Sequence, residues 1–98
     1  MISWSKNSLM GFMRRLAKNL KVLANYRRLA ILKYLKENRK APVGEIAHEI
    51  NLSFKATSKH LSNLFAVDIV QTEQKGLQVF YSLTPDQKPV VRYILNLL

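Results

Sequence analysis

At 98 residues the chain has room for one domain with a thin core; 48% hydrophobic and 22% charged residues are ordinary globular composition, and only three glycines and three prolines exclude a linker-like or collagen-like chain. The absence of cysteine excludes a disulfide framework, a thiolate metal site and a cysteine nucleophile, and no apolar run reaches the roughly 20 residues of a membrane span. Sixteen Lys and Arg against six Asp and Glu leave a net charge of +10, which points to a polyanion: DNA, RNA or an anionic membrane face.

The first predicted element runs from about Ser8 to Val22. Leu9, Phe12, Met13, Leu16, Leu20 and Leu23 recur every three or four residues, the period of one helix face, while Arg14, Arg15, Lys18 and Lys21 fall on the remaining surface. A basic amphipathic helix of this kind lies on a membrane or packs its stripe on a domain or a partner subunit, and the second is the commoner use. Residues 1–7 are expected to fray. Lys6, Arg14, Arg15 and Lys18 also interrupt any secretory hydrophobic centre, so the expected address is the cytoplasm. Residues 1–40 carry eleven positive side chains and one negative, Glu37, whereas residues 41–98 carry five of each sign.

Asn25 suits the cap of a second helix from Tyr26 to about Glu37, with Leu29, Ile31, Leu32 and Leu35 inward and Asn38 at its stop. After Ala41-Pro42 a short third helix is expected from about Gly44 to Ile50, with Ile46, Ala47 and Ile50 inward. Asn51 then occupies a tight turn that wants a left-handed residue, and Ser53 caps a fourth helix from Phe54 to about Phe65. Strand patterns over Ile69 to Gln74 and Gln78 to Leu83 flank Lys75-Gly76 and read as a hairpin. Thr84-Pro85 opens a last short helix, apolar at Val90, Val91, Ile94, Leu95, Leu97 and Leu98. The fold class is mainly α with a small β-hairpin, in the order α-α-α-α-β-β-α: a winged helix-turn-helix.

Within the fourth helix, Thr57, Leu61 and Leu64 fall on one face and Lys55, Ser58, Lys59 and Ser62 on the other. A recognition helix needs this division, because one face anchors in the core while the other enters the major groove. Lysine bonds phosphate or the acceptor edge of guanine, and serine bonds base edges or phosphate. The plainer alternative is an ordinary amphipathic surface helix. The DNA-contacting set expected from this pattern is Ser53, Lys55, Thr57, Ser58, Lys59, His60 and Ser62, with Thr57 and His60 at the flanks, and Lys75 and Gln78 on the hairpin tip. Phe54 is expected to fold back onto the domain rather than meet a thymine methyl group. His48 and His60 have no second ligand at metal spacing, and no catalytic constellation or phosphate loop is present in the sequence, so no cofactor, no metal and no enzymatic activity are expected.

The runs LANYRRLAILKYL at 23–35, VGEIAHEINLSFKATSKHLSNLFAVDIV at 43–70 and VFYSL at 79–83 resemble the ArsR family of small winged-helix repressors. Arg28 matches its usual arginine, Glu45 and Ile46 the start of its helix-turn-helix, Ser53, Ser58, His60, Leu61 and Leu64 its recognition helix, and Tyr81 and Leu83 its wing. The resemblance implies a homodimer joined by first and last helices, residues 8–22 and 86–98, that represses from inverted-repeat operators on double-stranded DNA. In this sequence those helices would offer Leu9, Phe12, Met13, Leu16 and Leu20, and Val91, Ile94, Leu95 and Leu98. Two departures stand out: Tyr26 replaces the usual proline and Asp68 the usual glycine before the wing. The cysteine pair and the last-helix Asp, His and Glu of metal-sensing members are missing, which implies a member that does not sense metal. The rival readings are a non-specific, chromatin-like nucleic-acid binder, a winged helix used only for protein association, and peripheral membrane binding through the first helix.

Overall fold

Ser5 starts the first helix, α1 (Lys6–Leu23), by accepting the Ser8 amide proton on its hydroxyl, so the helix begins before the expected Ser8. This computed structural model describes residues 4–98. Residues 1–3 of the segment expected to fray lie outside the described residues, while Lys6 and Asn7 are helical. The Asn25 side chain accepts from the amides of both Arg27 and Arg28 and opens α2 (Tyr26–Asn38), which buries Ile31, Leu32 and Leu35. It ends at Arg39, whose φ of 64° and ψ of −58° turn the chain sharply into β1 (Lys40–Pro42).

The strand β1 is absent from the expected order. Three residues ending in proline carry no alternating pattern, and the strand exists only because a partner edge is available. That edge belongs to β3 (Gln78–Leu83), which lies between β1 and β2 (Val70–Lys75) in an antiparallel sheet. Ala41 faces Tyr81 and is buried, and Thr72 meets Tyr81 from the other side. Pro42 closes the edge strand, where a missing amide proton costs nothing.

Between β1 and β2 the chain forms α3 (Val43–Glu49) and α4 (Phe54–Ala66). Asn51 takes φ 54° in the turn, Leu52 donates its amide to the Ala47 carbonyl at 3.0 Å, and Ser53 caps α4 by accepting from Ala56. Asp68, at φ 61°, makes the second left-handed step into β2, so an aspartate does here what a glycine usually does.

The last helix starts later than Thr84-Pro85 suggests. Gln87 donates its side-chain amide to the carbonyls of Ile69 and Thr84, fixing residues 84–88 as an ordered connection, and α5 (Pro89–Leu97) opens with proline at its first position. The core joins Ile31, Leu32 and Leu35 of α2 to Ile46, Leu61, Leu64, Ile69, Val70 and Val91. Among the described residues no helix is long and apolar enough to cross a membrane.

Candidate nucleic-acid interface

The two faces of α4 are physically distinct. Thr57, Leu61 and Leu64 are fully buried, whereas Lys55, Lys59 and Ser62 are exposed and Ser58 is half-buried beside them. The expectation for Thr57 is corrected: its side chain has no surface to offer DNA, and its hydroxyl is buried without a hydrogen-bond partner. Helical phase explains this, since residues 57, 61 and 64 share the face that anchors the helix. Ser53 is exposed at the start of the helix, although its oxygen is engaged by the cap. Phe54 corrects a second expectation, because it remains 62% exposed instead of folding back.

His60 is half-buried and faces α2. Its Nδ1 accepts from Nε of Arg28 at 3.2 Å, and the Arg28 Nη1 donates to the Val22 carbonyl at 2.9 Å. Burial, then the Arg28 charge and the Arg27 charge, hold His60 below its ordinary value of 6.5, so the neutral acceptor form is favoured. The sequence marks Arg28 only through the family pattern; its contact with a residue 32 positions away has no local signature. On the other side of the motif the Tyr34 hydroxyl donates to Glu45, tying α2 to the start of α3, and that bond pushes the Tyr34 hydroxyl up to about 12.

The wing projects Lys75 and Gln78 as a facing pair, both exposed, around the two-residue turn Gly76-Leu77. Beneath the tip, Glu73 Oε1 lies 3.5 Å from Lys75 Nζ and 3.6 Å from Lys40 Nζ, and Lys40 sits over the Phe80 ring at 5.6 Å. Lys40 escapes the sequence reading because β1 does. The basic residues of α1 lie elsewhere. Arg15 and Lys18 sit beside Ala66, Val67 and Asp68, at the end of α4 about 18 Å from its start.

The apolar stripes expected to meet a partner divide between the surface and the protomer's own core. Leu9, Phe12, Met13 and Leu20 of α1 are exposed and Leu16 is half-buried, but Val91 and Leu95 are buried in the protomer's own core. Ile94 and Leu98 pack partly against that core. The outward residues of α5 are instead Tyr93 and Leu97, and Met10 joins the exposed set on α1. A nine-residue helix that must also cover the domain gives one stripe to the core, and apolarity alone does not say which. Among the described residues no three metal-ligating side chains converge.

The helix-turn-helix and the first residues of the wing lie within a stretch, residues 25–72, that matches the model of the bacterial regulatory protein arsR family. The chain belongs to the ArsR family. It is 40% identical over 67 residues to the nodulation protein NolR of Rhizobium meliloti, a match covering 68% of this chain and 54% of NolR. With the transcriptional activator HlyU of Vibrio cholerae it shares 37% identity over 77 residues, covering 79% of this chain and 70% of HlyU. The solved structure of reduced HlyU superposes with a TM-score of 0.76 over 92% of this chain and 90% of that one, at 33% identity. The solution structure of Mb0332 from Mycobacterium bovis, described as a homodimeric winged helix-turn-helix DNA-binding domain and a possible ArsR-family regulator, gives 0.81 at 25% identity, over 99% and 86% of the two chains. The aligned stretch thus spans about half of the NolR relative.

Proposed function

We propose that this chain is a homodimeric transcriptional repressor that reads an inverted-repeat operator on double-stranded DNA. The observation that carries the reading is the α4 surface: Lys55, Lys59 and Ser62 stand exposed on a helix whose opposite face is anchored in the core. Placed in the major groove, this face meets base edges and phosphates with the donors that such contacts need. Ser58 and the Ser53 end of the helix lie beside them, and Lys75 and Gln78 on the wing reach the flanking backbone. Dimerisation rests on the apolar residues that α1 and α5 leave outside the protomer, Phe12, Met13, Leu20 and Leu97 among them. Two recognition helices related by a two-fold axis then enter successive major grooves about 34–36 Å apart. Repression follows from occupancy, since a dimer lying across two grooves excludes other proteins from the same DNA.

A second reading, non-specific binding, is favoured by one observation: the charge excess sits in residues 1–40 and not on α4. Selection from a random duplex library at about 150 mM salt separates the two, because purely electrostatic binding is already weakened there. The repressor enriches an inverted repeat with half-sites one helical turn apart, loses it on combined Lys55→Ala and Lys59→Ala substitution, and silences a reporter carrying it. Retention without enrichment would establish the non-specific binder, and no retention would leave protein association as the use of the fold.

A further inference from the structure

Two cavities meet where α1 passes the start of α5. The larger, about 310 Å³, has apolar walls from Phe12 and Leu16 of α1 and from Pro89 and Val90 of α5. Its size falls at the lower end of small-molecule pockets, about 300–1,000 Å³. The smaller, about 190 Å³, is polar and adds Lys18 of α1 and Val67 and Asp68 from the end of α4. Arg15, Asn19 and Lys88 line both, so the two cavities share a wall.

That wall holds a polar group the fold does not use. Asn19 is 4% exposed, on the buried side of a helix whose other inward residues are apolar. Its side-chain nitrogen donates to the Arg15 carbonyl at 2.9 Å, but its Oδ1 is buried with no donor among the described residues. Packing alone favours a leucine at such a position, because an acceptor removed from water needs a partner. The same wall is positive. Arg15, Lys18 and Lys88 face a single acid, Asp68, and none of the three cations forms an ion pair among the described residues. Lys88 Nζ reaches only the Val67 carbonyl, at 3.4 Å. Finally, α5 opens with neither a capping side chain nor an acid in its first turn, which leaves the positive end of its dipole at this point.

We propose that the joined cavities bind a small aliphatic carboxylate carrying a hydroxyl near its head. The chain fills the space between Phe12, Leu16, Pro89 and Val90. The carboxylate meets Arg15, Lys88 and the open end of α5, and the hydroxyl supplies the donor that Asn19 Oδ1 lacks. An inorganic anion leaves the apolar compartment empty, and a neutral hydrocarbon leaves the cations unused. The inference stands apart from the DNA-binding reading. Because the site lies between α1 and α5, its occupant is placed to act on the dimer contact proposed above.

The full chain is titrated with β-hydroxydecanoate, decanoate, octanoate and decanol. Binding is followed by calorimetry and by emission of the single tryptophan, Trp4, whose ring centroid lies 5.3 Å from that of Phe12 in the cavity wall. β-Hydroxydecanoate should bind about fivefold more tightly than decanoate, the worth of one net hydrogen bond. Decanoate should exceed decanol about tenfold, through charge-assisted contacts, and octanoate about fifteenfold, through two buried methylenes. Asn19→Leu should abolish the preference for the hydroxyl while decanoate still binds, and combined Arg15→Gln and Lys88→Gln substitution should abolish the preference for decanoate over decanol. The ligand series in the parent tests the chemistry even where a variant fails to fold. Equal affinity for decanoate and decanol, a hydroxyl preference that survives Asn19→Leu, or no binding at millimolar concentration would each overturn the site. So would binding by Met13→Glu but not by the parent, since the cavity would then belong to side chains of a second copy.

Discussion

Protonation of His60 removes the lone pair to which Arg28 donates. Above an ordinary histidine value of 6.5 both folded and unfolded chains hold this imidazole neutral, and the Arg28 bond is fully present. As the pH falls through that value the unfolded chain takes the proton first, because burial and the Arg28 and Arg27 charges hold the folded value lower. Stability contributed at this position is therefore complete above 6.5 and lost below it, until the folded form also titrates. Thermal midpoints measured from about pH 7 down to about pH 5 should fall more steeply for the parent than for His60→Gln, whose amide oxygen keeps an uncharged acceptor. Equal slopes for the two would remove the assignment. At this scale the sequence is informative about periodicity and poor about partners. The outer face of α4 follows from counting residues, yet Thr57 shows the limit of assigning contacts by residue type, since a hydroxyl that reads as a DNA donor is sealed in the core.

Among the elements, the caps were the most legible part of the fold. Asn25, Asn51 and Ser53 all do what their side chains and conformational tolerance allow, because these are local interactions within a few residues. The strand β1 was illegible for the opposite reason: its register with β3 joins residues about forty positions apart and leaves no local pattern. The start of α5 belongs to the same class, since the bond from Gln87 to the Ile69 carbonyl decides where the connection ends. The entry to β1 also carries backbone strain. Arg39 sits at φ 64° and ψ −58°, a conformation that side chains with a Cβ rarely adopt. Arg39→Gly should stabilise the chain by about 1 kcal/mol, the relief of one to three kcal/mol offset by about 0.5–1 kcal/mol of added unfolded-state entropy. Chemical denaturation of the two proteins checks this, and a destabilised glycine variant would show that the arginine side chain contributes more than its backbone costs.

For the whole molecule, the exposed apolar surface of α1 and α5 sets the oligomeric expectation. Met13 is 45% exposed in the protomer, and Met13→Glu places a charge in the proposed contact. Light scattering should report a monomer at concentrations where the parent is a dimer, and operator affinity should fall about a hundredfold or more as the two half-sites lose their linkage. An unchanged mass would move the contact elsewhere. The sequence identified these helices from their stripes but assigned Val91 and Leu95 to the wrong side, because burial within a protomer and burial between protomers look alike in composition. Arg28 bears on a different property of the proposed dimer. One guanidinium holds the Val22 carbonyl at the end of α1 and His60 on α4, so the helix proposed to meet the partner and the helix proposed to meet DNA are clamped to a single side chain. Joined across the proposed two-fold axis, two such clamps would act as callipers of fixed opening. One added base pair between half-sites shifts the second by roughly 3.4 Å and turns it by roughly 35°. Callipers that cannot open will refuse that operator, and loosening Arg28 to alanine should let the same protein accept both spacings.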